Sequence, residues 1–152
     1  MRISTKGRYA LRLMIDLAEH GTDGYVALKD IARRQEISIK YLEQIIAHLN
    51  HAGLVKSSRG PQGGYRLMKN PQEYAVADIL RVTEGKLALV DCLMEDETNL
   101  CSRSQICPTI GLWEELQEQI DHYLNRVSLQ NLLDKQKEKK ATLLYTCAEK
   151  EK

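Results

Sequence analysis

Three cysteines fall close together in the chain: Cys92, then eight residues, Cys101, then five residues, Cys107. Thiolates are soft ligands that suit iron–sulfur clusters and zinc, and one loop carrying three of them can wrap one site. The spacing alone does not name the metal. Zinc sites usually draw on cysteines about two to four residues apart, and this chain has no such pair. The surrounding segment, Asp91 to Thr109, is polar and too poor in apolar residues for a core of its own. Three buried, inert thiols would be out of place there, so the residues favour a metal or redox role. A fourth cysteine, Cys147, stands in a charged tail and reads as an idle surface thiol.

A second set of residues suits a different chemistry. From Ser38 to about His51 the apolar positions Tyr41, Leu42, Ile45, Ile46 and Leu49 make one buried face. The opposite face shows Lys40, Glu43, Gln44, Ala47 and His48. A glutamine bonds adenine at two points, and a carboxylate accepts from cytosine N4. A carboxylate on a face that meets phosphates is costly without such a donor, which makes Glu43 the informative residue. The plainer alternative is a surface pair of Glu43 with Lys40. Further on, Arg59 and Gly60 sit at a turn tip, where an arginine suits a narrow minor groove. Arg2, Lys6, Arg8, Lys56 and Arg66 would add salt-dependent affinity for phosphates. Basic residues at the start of the first helix run against its dipole. Phosphate binding accounts for them; solvated surface is the alternative.

These side chains need elements to hold them. A helix from Ser4 or Thr5 to about Glu19 has Ala10, Leu13, Met14, Leu17 and Ala18 on one face. Tyr25 to Leu28 is briefly extended, and a short helix covers about Leu28 to Gln35. Glu36-Ile37 makes a tight turn, and Ser38 has the side chain of a helix cap. Two helices joined this way read as helix-turn-helix. Gly53 ends the second, Leu54 to Ser57 is a strand, Ser58 to Gly64 is turn chemistry, and Tyr65 to Leu67 returns. That hairpin makes a wing. A helix from about Val76 to Glu84 ends at Gly85, and the apolar Leu87 to Val90 packs the helices of the first half to the second half of the chain. A long helix starts near Pro108 and runs to about Asn125. Its stripe of Ile110, Trp113, Leu116, Ile120, Leu124 and Val127 needs a partner, either its own chain or a second copy. Leu129, Leu132 and Leu133 suggest one last short turn of helix, and Lys135 to Lys152 reads as charged and frayed.

The expected fold is mainly α with a small β-hairpin wing, a winged helix-turn-helix followed by a long C-terminal dimerisation helix. The expected divisions are a DNA-binding domain at 1–85, a linker and cysteine loop at 86–109, the dimerisation helix and a short following helix at 108–133, and a charged flexible tail at 134–152. Charge divides along similar lines. Residues 1–70 carry 12 Lys+Arg against 6 Asp+Glu, and residues 71–152 carry 10 against 15. A basic half that meets phosphates and an acidic half that does not is the simplest account. No stretch approaches the ~20 consecutive apolar residues of a membrane helix, and the first residues lack a secretory pattern, so a cytoplasmic protein is expected. No CxxC, nucleotide-binding glycine motif or nucleophile–base constellation points to an enzyme.

The sequence resembles the Rrf-type bacterial regulators, the group that includes IscR, NsrR and CymR. The resemblance rests on ISTKGRYAL at Ile3 to Leu11, ISIKYLEQII at Ile37 to Ile46, GLVKSSRGPQGGYRL at Gly53 to Leu67, and the three cysteines, and it covers roughly residues 1–133. It implies a homodimer that binds a double-stranded DNA operator, with Glu43, Gln44 and Arg59 at DNA-contacting positions; Ser38, Lys40 and Gly60 beside them are further DNA-binding candidates. It also implies an iron–sulfur cluster, 2Fe–2S in type, on Cys92, Cys101 and Cys107, and control of iron–sulfur biogenesis genes. The other branches imply nitric oxide or redox sensing, or control of cysteine metabolism. The chain departs from the pattern at the fourth ligand. The histidine of IscR-like proteins falls at Ile110, and the acid of NsrR-like proteins falls at Arg8. Asp91, Glu95, Asp96 and Glu97 remain as loop candidates, and the fourth ligand is left open.

Overall fold

The computed structural model describes residues 1–22, 24–94 and 101–150, with side chains to residue 143. Helix α1 (Thr5–His20) is capped by Ser4, whose hydroxyl accepts from the Gly7 N–H. It buries Ala10, Leu13, Met14 and Leu17, the face set by their three-and-four spacing. Helices α2 (Leu28–Gln35) and α3 (Ile39–His51) come next. The turn between them is made by Glu36 in the left-handed region at φ 54°, a conformation a non-glycine residue seldom adopts. α3 buries Leu42, Ile45, Ile46 and Leu49 against α1 and α2.

Strands β1 (Val55–Ser58) and β2 (Gly64–Leu67) form an antiparallel hairpin with Val55 opposite Leu67 and Lys56 opposite Arg66. The extended stretch expected at Tyr25 to Leu28 is a single bridge, Val26 to Tyr65, that adds a third backbone to the wing's base. Gly64 is required there. Its φ is +151°, and a Cβ would run into the Val26 carbonyl. This is a winged helix-turn-helix, as the sequence predicts.

A short 3₁₀ turn (Pro71–Glu73) leads to Tyr74, which is buried, and to α4 (Val76–Glu84). Leu87 packs with Val76 and Leu80 in a small second core. Helix α5 (Ile110–Arg126) starts two residues later than Pro108 suggests, with Thr109 at its N-cap. Its expected stripe is only half covered. Of that stripe Leu116 is exposed and Ile110, Trp113, Ile120, Leu124 and Val127 are half-buried; no residue of α5 is buried, and Leu112 and Tyr123, outside the stripe, are exposed too.

The C-terminal expectation is corrected. In place of a short helical turn and a flexible tail from 134, helix α6 runs Leu129–Lys150. Two things hold it. Leu129 is fully buried in the main core, its N–H bonding the Tyr74 carbonyl at 2.9 Å. Further along, Glu19 of α1 accepts from Gln136 and from Lys140, each at 2.6 Å. The charge run is rich in Lys, Gln and Glu, which are good helix formers once an end is anchored. Among the described residues no helix is long and apolar enough to cross a membrane.

Candidate nucleic-acid interface and cysteine loop

Burial of one face of α3 decides what its other face offers. Lys40, Glu43, Gln44, Ala47 and His48 are exposed together. Ser38 caps the helix by accepting from the Tyr41 N–H at 3.3 Å, so its position at the start of this face is fixed by the backbone. The His48 Nδ1 lies 2.6 Å from the Gln44 carbonyl, which can only accept, so Nδ1 carries the proton. Nε2 is then free to accept from the Lys6 ammonium at 3.4 Å. That contact places the start of α1 beside α3 and leaves Lys6 half-buried.

The other basic candidates divide. Arg2, Lys56, Arg59 and Gly60 are exposed. Arg8 folds back on α1, donating to the Ser4 carbonyl and, at 3.0 Å, to the Thr5 hydroxyl. Arg66 lies over the Tyr25 ring, 5.1 Å from its centre. In the hairpin register Arg66 stands opposite Lys56. Like charges in that position repel, and an anion at the wing would relieve the repulsion.

Two features escape a reading of the sequence alone. Glu84, at the end of α4, accepts from the Ser4 hydroxyl at 2.6 Å and the Ser4 N–H at 3.3 Å. It supplies the negative charge that the first turn of α1 lacks, and its carboxylate fills the space that a Cβ at Gly7 would take. The second is Asp16, the buried polar residue of the main core, 1% exposed. It accepts from Arg34 at 2.6 and 3.0 Å and from Gln35 at 2.9 Å. The pair holds the Arg34 guanidinium above its ordinary value, chiefly through that hydrogen bond. Arg12 donates to the Gln35 side chain at 3.0 Å and to its carbonyl. A hint lies in the sequence, because Asp16 sits within the apolar spacing of Leu13 and Leu17.

The cysteine loop hangs between α4 and α5. Cys92 is half-buried in a 3₁₀ turn (Asp91–Leu93), Cys101 is exposed, and Cys107 is half-buried. The Cys107 sulfur is 3.3 Å from the Thr109 hydroxyl, and hydrogen bonding from Thr109 lowers this thiol below its ordinary range. Soft thiols in one loop suit an iron–sulfur cluster in chemistry. They are not gathered, however: among the described residues no three Cys, His, Asp or Glu side chains are grouped to hold a metal. Ile110 begins α5 and Arg8 is held at the start of α1, so neither supplies a ligand. Asp91 shares the turn with Cys92, whereas Glu95, Asp96, Glu97 and the side chain of Cys147 lie outside the described residues. An open cleft of about 790 Å³ lies beside the loop, between the stretch after α4 and α5, lined in part by Arg81, Leu87, Leu93, Gln117 and Asp121.

The family model Rrf2, described as an iron-dependent transcriptional regulator, matches residues 3–135. The chain belongs to the Rrf2 family. Among Rrf2 relatives, the HTH-type transcriptional regulator IscR of Serratia proteamaculans is 40% identical over 136 residues, which is 90% of this chain and 81% of that protein. IscR of Pectobacterium atrosepticum is 40% identical over 134 residues, 88% of this chain and 80% of that protein. Solved Rrf2 structures agree. CymR, the global cysteine regulator of B. subtilis, superposes with a TM-score of 0.73 at 37% identity, covering 88% of this chain and 97% of that one. T. potens IscR superposes at 0.68 with 41% identity, covering 89% and 88%. The chain is therefore an IscR-like, DNA-binding transcriptional regulator of the Rrf2 family and not an enzyme.

Proposed function

We propose that this Rrf2 protein is a homodimeric regulator whose operator binding depends on an iron–sulfur cluster, 2Fe–2S in type, held by Cys92, Cys101 and Cys107. Its targets on this reading are iron–sulfur biogenesis genes, and it acts in the cytoplasm. The observation that carries it is the placement of three thiols in one loop between the reading head and α5, in a chain 40% identical to IscR proteins. When bound, the cluster would supply a charge-bearing redox centre whose presence fixes the loop. The chain's own part is to offer three thiolates and to carry the loop's position to the DNA-binding helices.

Sequence readout belongs to Glu43 and Gln44 on α3, with Ser38 and Lys40 beside them. Arg59 and Gly60 reach the minor groove from the wing. Arg2, Lys6, Arg8, Lys56 and Arg66 meet phosphates. Dimerisation uses α5, where Leu112, Leu116 and Tyr123 are 58, 42 and 51% exposed on a helix with no buried residue.

Anaerobic purification tests the cluster. The expected protein is brown, with iron and sulfide in stoichiometric amounts and visible absorption lost in Cys92→Ala. A colourless protein carrying stoichiometric zinc overturns it. Sedimentation tests the dimer, which Leu116→Glu should convert to monomer. A second reading, control of cysteine metabolism, is favoured by the overlay on CymR and by thiols that are not gathered. It predicts operator binding that is indifferent to iron. Nitric oxide sensing is a variant of the first reading, and it predicts that nitric oxide bleaches the cluster and releases the DNA.

A further inference from the structure

One side chain joins the two ends of the cysteine loop beside the segment that leads to the reading head. Gln117 lies in α5, two turns beyond its start at Ile110. Its amide nitrogen donates to the Leu87 carbonyl at 2.7 Å, and its amide oxygen accepts from the Leu89 N–H at 2.8 Å. One primary amide thus bonds the carbonyl of residue i and the N–H of residue i+2, the pair of groups that a residue of a neighbouring parallel strand would bond. The same nitrogen also reaches Asp121 at 3.1 Å, which orients the amide.

The two ends of the cysteine loop are joined here. Leu89 stands three residues before Cys92, and Cys107 stands three residues before Ile110, the first residue of α5. Gln117 therefore fixes the arm that leads to Cys92 against the helix that follows Cys107. On its other side the stapled segment leads to the DNA. Leu87 is buried against Val76 and Leu80 of α4. Gly85 intervenes in the left-handed region at φ 75°, a natural pivot. Glu84, the last residue of α4, holds Ser4 and so the start of α1, whose Lys6 touches α3.

We infer that Gln117 is a positioning residue that closes the base of the cysteine loop and transmits its state, through Leu87 and α4, to the helix-turn-helix. The inference deepens the cluster reading and rests on it. A movement of the Cys92 arm relative to Cys107 must either shift Leu87 or break the two hydrogen bonds. While they hold, Leu87 shifts and α4 with it. Without them the arm moves free of α5 and α4 does not register the change; the Met1 ammonium, which donates to the Leu89 carbonyl at 2.9 Å, ties the arm only to the exposed first residue.

The test compares wild type, Gln117→Leu and Gln117→Asn. Leucine keeps the volume but loses both bonds, and asparagine is too short to reach both backbone groups. Visible absorption and iron content are read first, then operator affinity of the anaerobic cluster-loaded and cluster-free forms. Wild type should show an affinity ratio in the range of about 5–150-fold typical of coupled sites. Both variants should load the cluster as wild type does, with the ratio falling to within about twofold of unity. A residue that only stabilises the fold would lower the melting temperature and leave the ratio unchanged, so an unchanged ratio in a cluster-loaded variant overturns the inference while the cluster reading stands. A wild type that takes up no cluster overturns the cluster reading and the coupling together, and the absorption identifies that outcome before DNA is added. If leucine prevents folding, the asparagine variant decides.

Discussion

Asp16 of α1 grips Arg34 of α2 at two points, 2.6 and 3.0 Å, with the carboxylate 1% exposed. The pair fixes α2 against α1, and α2 sets the entry to α3. Charge-assisted, two-point bonds of this kind give direction as well as energy. Asp16→Ala should destabilise the protein by about 3 kcal/mol, because Arg34 and Gln35 are left without their acceptor. Urea denaturation reads this directly. A loss under ~0.5 kcal/mol would show that solvent replaces the carboxylate at this junction.

Tyr74 ties the wing's base together. Its hydroxyl accepts from the Met68 N–H at 2.8 Å and the Lys69 N–H at 2.9 Å, and donates to the Leu54 carbonyl at 2.7 Å. Burial raises its pKa above the ordinary 10.0, against the opposing pull of the two N–H groups. The folded state thus prefers the protonated phenol. Its contribution is fully present below pH 10.0 and is lost as pH rises through the folded value. Tyr74→Phe should cost about 2 kcal/mol at neutral pH and flatten this alkaline decline in thermal melts. An identical decline in the variant would assign it to another group.

Gly64→Ala should cost about 3 kcal/mol or detach the wing from Val26, since the new Cβ meets backbone that has nowhere to go and φ is +151°. The Tyr65 amide, bonded to the Val26 carbonyl at 2.9 Å, would then exchange with solvent faster. Gly60→Ala lacks any such neighbour and bears only the strain of its φ of +107°, so it should be the milder change.

At the DNA, Lys56→Ala should weaken binding to all sequences alike and reduce the salt slope by about 1. Glu43→Ala should do the reverse, altering base preference more than bulk affinity. Fluorescence anisotropy with an operator library at two salt concentrations separates them. Unchanged preference in Glu43→Ala would remove that residue from readout.

The cysteines' chemistry shows how far local reading goes. Their type and spacing suggest a soft-metal or redox loop. Spacing does not say whether the thiols meet, because that depends on how α4 and α5 hold the loop's ends. The same limit applies to the basic start of α1. Its charge looks unbalanced in the sequence because the balancing Glu84 is 80 residues away from Ser4 in the chain. The C-terminal tail misleads for a related reason. A run of lysines and glutamates looks solvated until Glu19, 117 residues before Gln136, supplies an anchor.

By itself the sequence determined the helix-turn-helix and the wing. Their signals are local: apolar residues at three-and-four spacing, a serine cap at Ser38, and glycines at Gly53, Gly63 and Gly64 where the backbone must turn or approach closely. It also determined the family, through contiguous motifs in those elements. Only the tertiary structure decided the Asp16–Arg34 clamp, the Glu84 cap on α1, the full length of α6 and the Gln117 staple. Each joins residues distant in the chain, and no periodicity in a single helix or strand encodes which distant polar groups will meet when the apolar faces close.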